Sequence, residues 1–267
     1  MDSSKTGISE DPNLVENLDA FLTSCHDQVV TVRVKSIEGR AFRVSKRLLT
    51  EKAPYFAKMF SGGFLESEKD EVLLEEIDGV VSEASVATLI FWIYKDEVKL
   101  TLDTCESERT SRTTRYISAA LEVARLADMY GVTGFEESLA ESIRQSLCSS
   151  SEWGDTGLEN ITEQHMASSE NLPAGHPVRR ALAKTFVASL LRSCDYRTFA
   201  SDQLTAYPNL AAEIIRETIK ALDTLEPPKR GFTWFTITDP IKLENCVLKL
   251  PGLIYNPSKQ NLQHSWL

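Results

Sequence analysis

Four histidines, His26, His165, His176 and His264, are the first residues to weigh as acids, bases or metal ligands, and no two stand in a recognisable spacing relation. Catalysis needs such groups to converge with a nucleophile or metal, and these read as loop and tail residues. The carboxylates Glu75 and Glu76 end a strand-like run, so they point to opposite faces and cannot share a proton. Gly62-Gly63 closes a helical patch instead of opening one, the reverse of a phosphate-binding loop. Cys25, Cys105, Cys148, Cys194 and Cys246 are too scattered for a zinc or redox motif, so reduced thiols are expected. Asn160-Ile161-Thr162 fits a glycosylation acceptor but reads as coincidence. The expectation is a protein that is not an enzyme and that uses no cofactor and no metal.

The totals narrow the class of partner. A chain of 267 residues can make one large domain or two small ones. No apolar run reaches membrane-spanning length, and Met1-Asp2-Ser3-Ser4-Lys5 lacks the pattern of a signal peptide, so an intracellular location, cytoplasm or nucleus, is expected. A net charge of −10, with acidic residues concentrated between Glu66 and Asp78, repels phosphate and argues against direct nucleic-acid binding. Pro227-Pro228-Lys229-Arg230 is too short a basic cluster to reverse that. Protein partners remain.

The elements follow from pattern. Val29 to Val34 is β-branched and predicts a strand, Gly39 sits at a reversal, and Phe42 and Val44 belong to its hairpin partner. Ser45 is a good cap for a short helix over Lys46 to Glu51. Pro54 stops that helix and suits the first turn of another, Tyr55 to Phe60. Val72 to Ile77 reads as a strand, Val86, Leu89, Ile90, Ile93 and Tyr94 recur at helical spacing, and Val98 and Leu100 close with a short strand.

Several pieces of this order resemble the BTB/POZ domain, most like the stand-alone BTB proteins of filamentous fungi. They are Phe42 to Lys46 with Leu48-Leu49, Ala53-Pro54-Tyr55-Phe56, Met59-Phe60 with Gly63 to Ser67, Val72-Leu73-Leu74, and Leu89 to Tyr94. The resemblance covers about residues 25 to 148 and implies an α+β fold, a small mixed sheet flanked by helices. One departure is Ser45, where the family often has a histidine.

The resemblance also assigns roles. In BTB adaptors that recruit a cullin scaffold, a hydrophobic residue, any residue and then Glu stand where this chain has Phe64-Leu65-Glu66, which makes Phe64 and Glu66 the candidate cullin contacts. Ahead of the first strand, Leu14, Leu18, Phe21 and Leu22 give a helix one apolar stripe. In many BTB proteins the corresponding helix packs across a two-fold axis, so these four are the candidate dimer interface. The bland alternative is a helix folded back on its own domain, and Phe64 can equally cap its own core. A scaffold or transcription-associated regulator without ubiquitin chemistry is the competing function, and the tetramerising branch of the fold a further one.

Residues 1–12 are expected to be disordered and 13–148 to form the domain. Within it, Thr101 to Arg115 reads as a mobile loop, and Ile117, Leu121, Ala124, Leu126 and Tyr130 as a helix that Gly131 ends. Phe135, Leu139, Ile143 and Leu147 then give its antiparallel partner. Residues 149–177 read as a linker, with a brief helix around Leu158 to Met166. Val178, Leu182, Phe186 and Leu190, then Leu210, Ile214, Ile215, Ile219 and Leu222, predict a helical extension over 178–226. Residues 227–267 read as an irregular tail in which Phe232 to Ile237 can form a strand. Burying each leucine of the N-terminal stripe stabilises by roughly 1.5 to 3 kcal/mol, enough for several together to set the oligomeric state. Leu18→Glu is expected to halve the mass measured by light scattering, and an unchanged mass removes this helix from the interface.

Overall fold

The computed structural model describes residues 9–10, 28–35, 40–62, 69–100, 102, 111–149, 157–192, 205–227 and 235–248. Its centre is a three-stranded sheet in the order β3-β2-β4, formed by β2 (Val29–Lys35), β3 (Ala41–Ser45) and β4 (Glu71–Glu75). Strand β2 pairs antiparallel with β3, Val32 opposite Phe42, and parallel with β4, Val32 opposite Val72. Strict alternation puts Val30, Val32, Val34, Phe42, Val44, Val72 and Leu74 on one buried face. The other face is polar, with Arg33 paired to Glu71 at 3.0 Å and Lys35 to Glu75 at 2.9 Å. Leu73 stands exposed among them.

Helices cover the buried face. Ser45 caps α1 (Lys46–Lys52), its hydroxyl accepting from the Leu48 N–H. Pro54 opens α2 (Pro54–Ser61), where its missing N–H leaves no helical bond unmade. Helix α3 (Glu83–Lys95), capped by a reciprocal Ser82–Ser85 pair, is buried on nearly all sides, because Leu89, Ile90 and Ile93 meet the sheet residues Val32 and Leu74 while Trp92 meets Phe135. Helix α4 (Arg112–Tyr130) ends on Gly131 in the left-handed conformation. Gly134, at φ +108°, leads into α5 (Glu136–Ser149) against the Trp92 ring. Tyr116, near the start of α4, donates to Ser142, towards the end of α5, as an antiparallel pair requires.

Four expectations need correction. Residues 9–10 form β1 (Ser9–Glu10), which pairs in parallel with β5 (Lys99–Leu100) inside the stretch expected to be disordered. A two-residue segment has no periodicity to read, yet it satisfies backbone groups that a strand edge leaves open. The loop expected to reach Arg115 ends earlier, since Ser111 caps α4 at Arg112. The expected linker is packed structure over its described part, with a 3-10 turn (Leu158–Asn160) and α6 (Glu163–Glu170) burying Leu158, Ile161, Met166 and Leu172. The brief helix expected around Leu158 to Met166 is found as that 3-10 turn and the first part of α6, while the burial of its apolar residues against the domain was not expected of a linker. Finally, the irregular tail holds a hairpin of β6 (Phe235–Thr238) and β7 (Asn245–Leu248), with Ile237 and Ile241 buried.

The extension is helical as expected, with α7 (Pro177–Arg192) and α8 (Pro208–Leu222). Arg179 of α7 is 2% exposed and donates to the Ser169 and Glu170 carbonyls, the exposed end of α6. The Glu170 carboxylate in turn accepts from the Asn209 and Leu210 N–H groups at the start of α8, a favourable place for negative charge. One departure is on α8, where Leu210 and Ile214 are buried but Glu213 and Glu217 share that face, leaving Ile215, Ile219 and Leu222 outside. Phe42→Ala is expected to remove about 3 to 5 kcal/mol of stability in urea unfolding. Leu73→Ala, on the solvent face of the same sheet, should change it by less than about 0.5 kcal/mol.

Candidate interaction surface

The two sets of predicted contact residues, Leu14, Leu18, Phe21 and Leu22 and then Phe64 and Glu66, lie outside the described residues. The frame around the second set is described on both sides. Helix α2 ends at Gly62, and the chain resumes at Lys69 and Asp70. Asp70 is tied down twice: its carboxylate accepts from Lys46 Nζ at 2.7 Å, and its carbonyl accepts from the Thr31 N–H at 2.9 Å. Lys46 Nζ also lies 5.1 Å from the centre of the Phe60 ring. Lys46 thus touches both the last turn of α2 and the start of β4, the described elements on either side of residues 63–68 in the sequence.

Beside it α2 is fastened to the end of α4. Phe56 stacks on Tyr130 with ring centres 4.9 Å apart, and Tyr55 meets the same ring edge-on at 5.1 Å. Tyr55 is nonetheless 47% exposed, and Met129 is 43% exposed, so apolar surface remains available at this end of the domain. Burial pushes the Tyr130 phenol above its ordinary range. Rigid aromatic groups with one open side are well suited to contact a partner, because little conformational freedom is lost on binding. Sequence reading placed Tyr55 at the helix start without marking it as surface.

A cleft of about 290 Å³ runs between the turn at residues 76–82, α4 and α6. Glu76, Asp78, Ser82, Arg115, Glu122 and His165 are among its lining residues. His165, read from sequence as a loop residue, belongs to the first turn of α6 and is buried. Its Nδ1 accepts from the Thr162 N–H, so the ring proton sits on Nε2 and is donated to Ser118 Oγ at 2.7 Å. Burial is the main cause that holds its pKa down, at about 4. With both ring nitrogens engaged, His165 joins α6 to α4 and is not poised to accept a proton from a substrate. The signal that could have found it is Thr162 followed three residues later by a side chain able to bond back, the spacing of a capping box. Asn160, also buried, accepts from Ser111 Oγ through its side-chain oxygen, which agrees with reading its glycosylation triplet as coincidence.

The described residues thus offer recognition surfaces, charged, aromatic and apolar, and the contact of Ser118 with His165 serves as a tie between α4 and α6. Residues 21–147 match the family model of the BTB/POZ domain. This chain carries a BTB/POZ domain. The match spans the three-stranded sheet and α1 to α5 almost to its end, and further helices follow it. A BTB/POZ domain is a protein–protein interaction module, so the expected fold and the general role stand together. At Ser45 the backbone N–H donates to the Tyr94 hydroxyl at 2.6 Å, while the side chain caps α1.

The buried neutral histidine makes the fold sensitive to acid. Its folded pKa, about 4, lies below the ordinary value of 6.5, so the unfolded chain binds more protons between those values. Stability from this group is complete above pH 6.5 and is lost as pH falls towards 4, by roughly 3 kcal/mol at most. The difference in unfolding free energy between the protein and His165→Gln should therefore shrink over that window, and a difference constant with pH would show that His165 is not held neutral.

Proposed function

We propose that this protein is a homodimeric substrate adaptor of a cullin-based ubiquitin ligase, working inside the cell as the fungal stand-alone BTB proteins it resembles are expected to. The observation that carries this reading is the triplet Phe64-Leu65-Glu66 directly after α2 of a BTB/POZ domain. Phe64 supplies an apolar anchor for a pocket on the cullin, and Glu66 orients the contact. The neighbouring described elements support this reading, since α2 is fixed by Phe56 on Tyr130 and the start of β4 by Asp70 on Lys46. Exposed Tyr55 extends the same apolar end of the domain.

Self-association rests on Leu14, Leu18, Phe21 and Leu22, whose stripe needs a cover. A dimeric adaptor presents two cullin sites and two extensions at once, which raises the effective concentration of a captured substrate. The helices α6 to α8 and the β6–β7 hairpin are then the parts left to receive it. Phe64→Ala and Glu66→Lys are each expected to weaken binding to the host cullin, Phe64→Ala by about 2 kcal/mol or roughly thirtyfold in Kd. Cullin co-precipitation that survives both changes shows that Phe64 and Glu66 are not the contact site, and no cullin association in the starting protein assigns it instead to the scaffold role without ubiquitin chemistry.

A further inference from the structure

Helix α8 turns an apolar stripe to the outside. Ile215, Ile219 and Leu222 stand at i, i+4 and i+7, exposed by 60%, 55% and 47%, and Leu225 continues the line just past the helix end. The opposite face is fixed. Leu210, Ile214 and Ala221 are buried there, and beside them Glu213 and Glu217 are buried and bonded at 2.8 Å to Arg216 and at 2.5 Å to Lys220, respectively. Rolling the helix to hide the isoleucines would bring Leu210 and Ile214 out to water, so the stripe has to be covered where it lies.

The charges along the stripe decide what covers it. At about 100° per residue, exposed Arg216 and exposed Asp223 fall on the same flank, while the other flank carries the small side chains of Ala211 and Thr218. A partner with a single sign of charge along the first flank would meet one of those two groups as a like charge. A second copy of α8 avoids this. Arg216 stands three residues before Ile219 and Asp223 four after it, so an antiparallel pair with its two-fold axis at Ile219 brings Arg216 of one copy and Asp223 of the other to within about 1.5 Å of the same level, on the same side of the contact. Symmetry makes that pairing twice. The antiparallel arrangement also sets the negative end of each helix, with exposed Asp223 and Glu226, beside the positive first turn of the other, which begins at Pro208.

We propose that α8 is a contact between two copies of this chain, packed antiparallel on itself with Ile219 at the two-fold axis and Arg216 of each copy paired to Asp223 of the other. The stripe presents an apolar patch of roughly 400 Å² on each copy, within the size that marks contact sites. Covering both patches, with the charged groups that flank them, brings the contact to the low end of specific interfaces, about 1,200 Å², which corresponds to association in the micromolar range. The contact uses no residue of the N-terminal stripe or of the cullin triplet, and it does not rest on the adaptor reading.

Sedimentation of the full chain between about 1 and 200 μM tests this, in the starting protein and in Leu18→Glu, so that loss of the N-terminal contact and loss of the α8 contact are read separately. In both backgrounds Ile219→Asp should weaken self-association by roughly a hundredfold, because the axis brings two copies of that residue together. Asp223→Lys leaves the apolar stripe intact and should weaken association about tenfold, an effect that molar salt should remove. Circular dichroism checks that each variant is folded, and Ile215→Ser, a milder change on the same stripe, replaces Ile219→Asp if that variant is not. Self-association that Ile219→Asp leaves unchanged in both backgrounds overturns the proposal, and this is the outcome if another part of the same chain or an unrelated protein covers the stripe. A loss with Ile219→Asp that Asp223→Lys does not reproduce overturns it as well, since the antiparallel pairing requires both.

Discussion

Strand β2 can hide only one of its faces, and the arrangement of the N-terminal half follows from that limit. Its valines at 30, 32 and 34 alternate with Thr31, Arg33 and Lys35, so a shift of one residue in either pairing would put three charged or polar groups into the core. Because β2 is central, it sets the register of β3 and of β4 together. The parallel partner cannot follow directly in the chain, and α1 and α2 fill the crossover.

The C-terminal half shares one continuous apolar core with this frame, through Leu139, Ile143 and Leu147 with Val178, Leu182 and Phe186, and polar contacts at helix ends add to it. Arg179 satisfies the last carbonyls of α6, Glu170 satisfies the first amides of α8, and His165 ties α6 to Ser118 of α4. Each of these groups answers a need every helix has, four backbone donors and four acceptors with no partner inside the helix. Meeting that need with long side chains from a neighbouring element fixes relative position as well as charge. Arg144 does the same for the hairpin, reaching the Ile241 carbonyl at 2.9 Å. The extension is thereby held against the BTB/POZ domain along α4 and α5, which gives a partner bound at one end a firm body at the other.

A protein of this kind does its work by presenting surface. The polar groups that could suggest chemistry prove to be structural once their partners are known: His165 is an internal tie, Glu213 and Glu217 are buried in ion pairs, and Asn160 is spoken for by Ser111. What stays open is apolar or aromatic, Tyr55 and Met129 at one end and the outer stripe of α8 at the other. Two separated patches of that type agree with the protein–protein interaction that a BTB/POZ domain provides.

Local signals settled the elements of the first half. Ser45 before Lys46, Pro54 at a helix start, Gly131 at a helix end and the alternation of Val29 to Val34 each act through neighbours a few residues away, so they can be read without coordinates. The BTB/POZ order could be recognised for the same reason. The parallel pairing of Ser9–Glu10 with Lys99–Leu100, the burial of Leu158, Ile161, Met166 and Leu172, and the choice of which face α8 turns inward were decided only by tertiary structure. In each of these the deciding partner is tens of residues away: a strand edge, a gap between helices, or the packing of α8 against α7. Periodicity records that a helix has an apolar side, but it cannot record which side the rest of the fold buries.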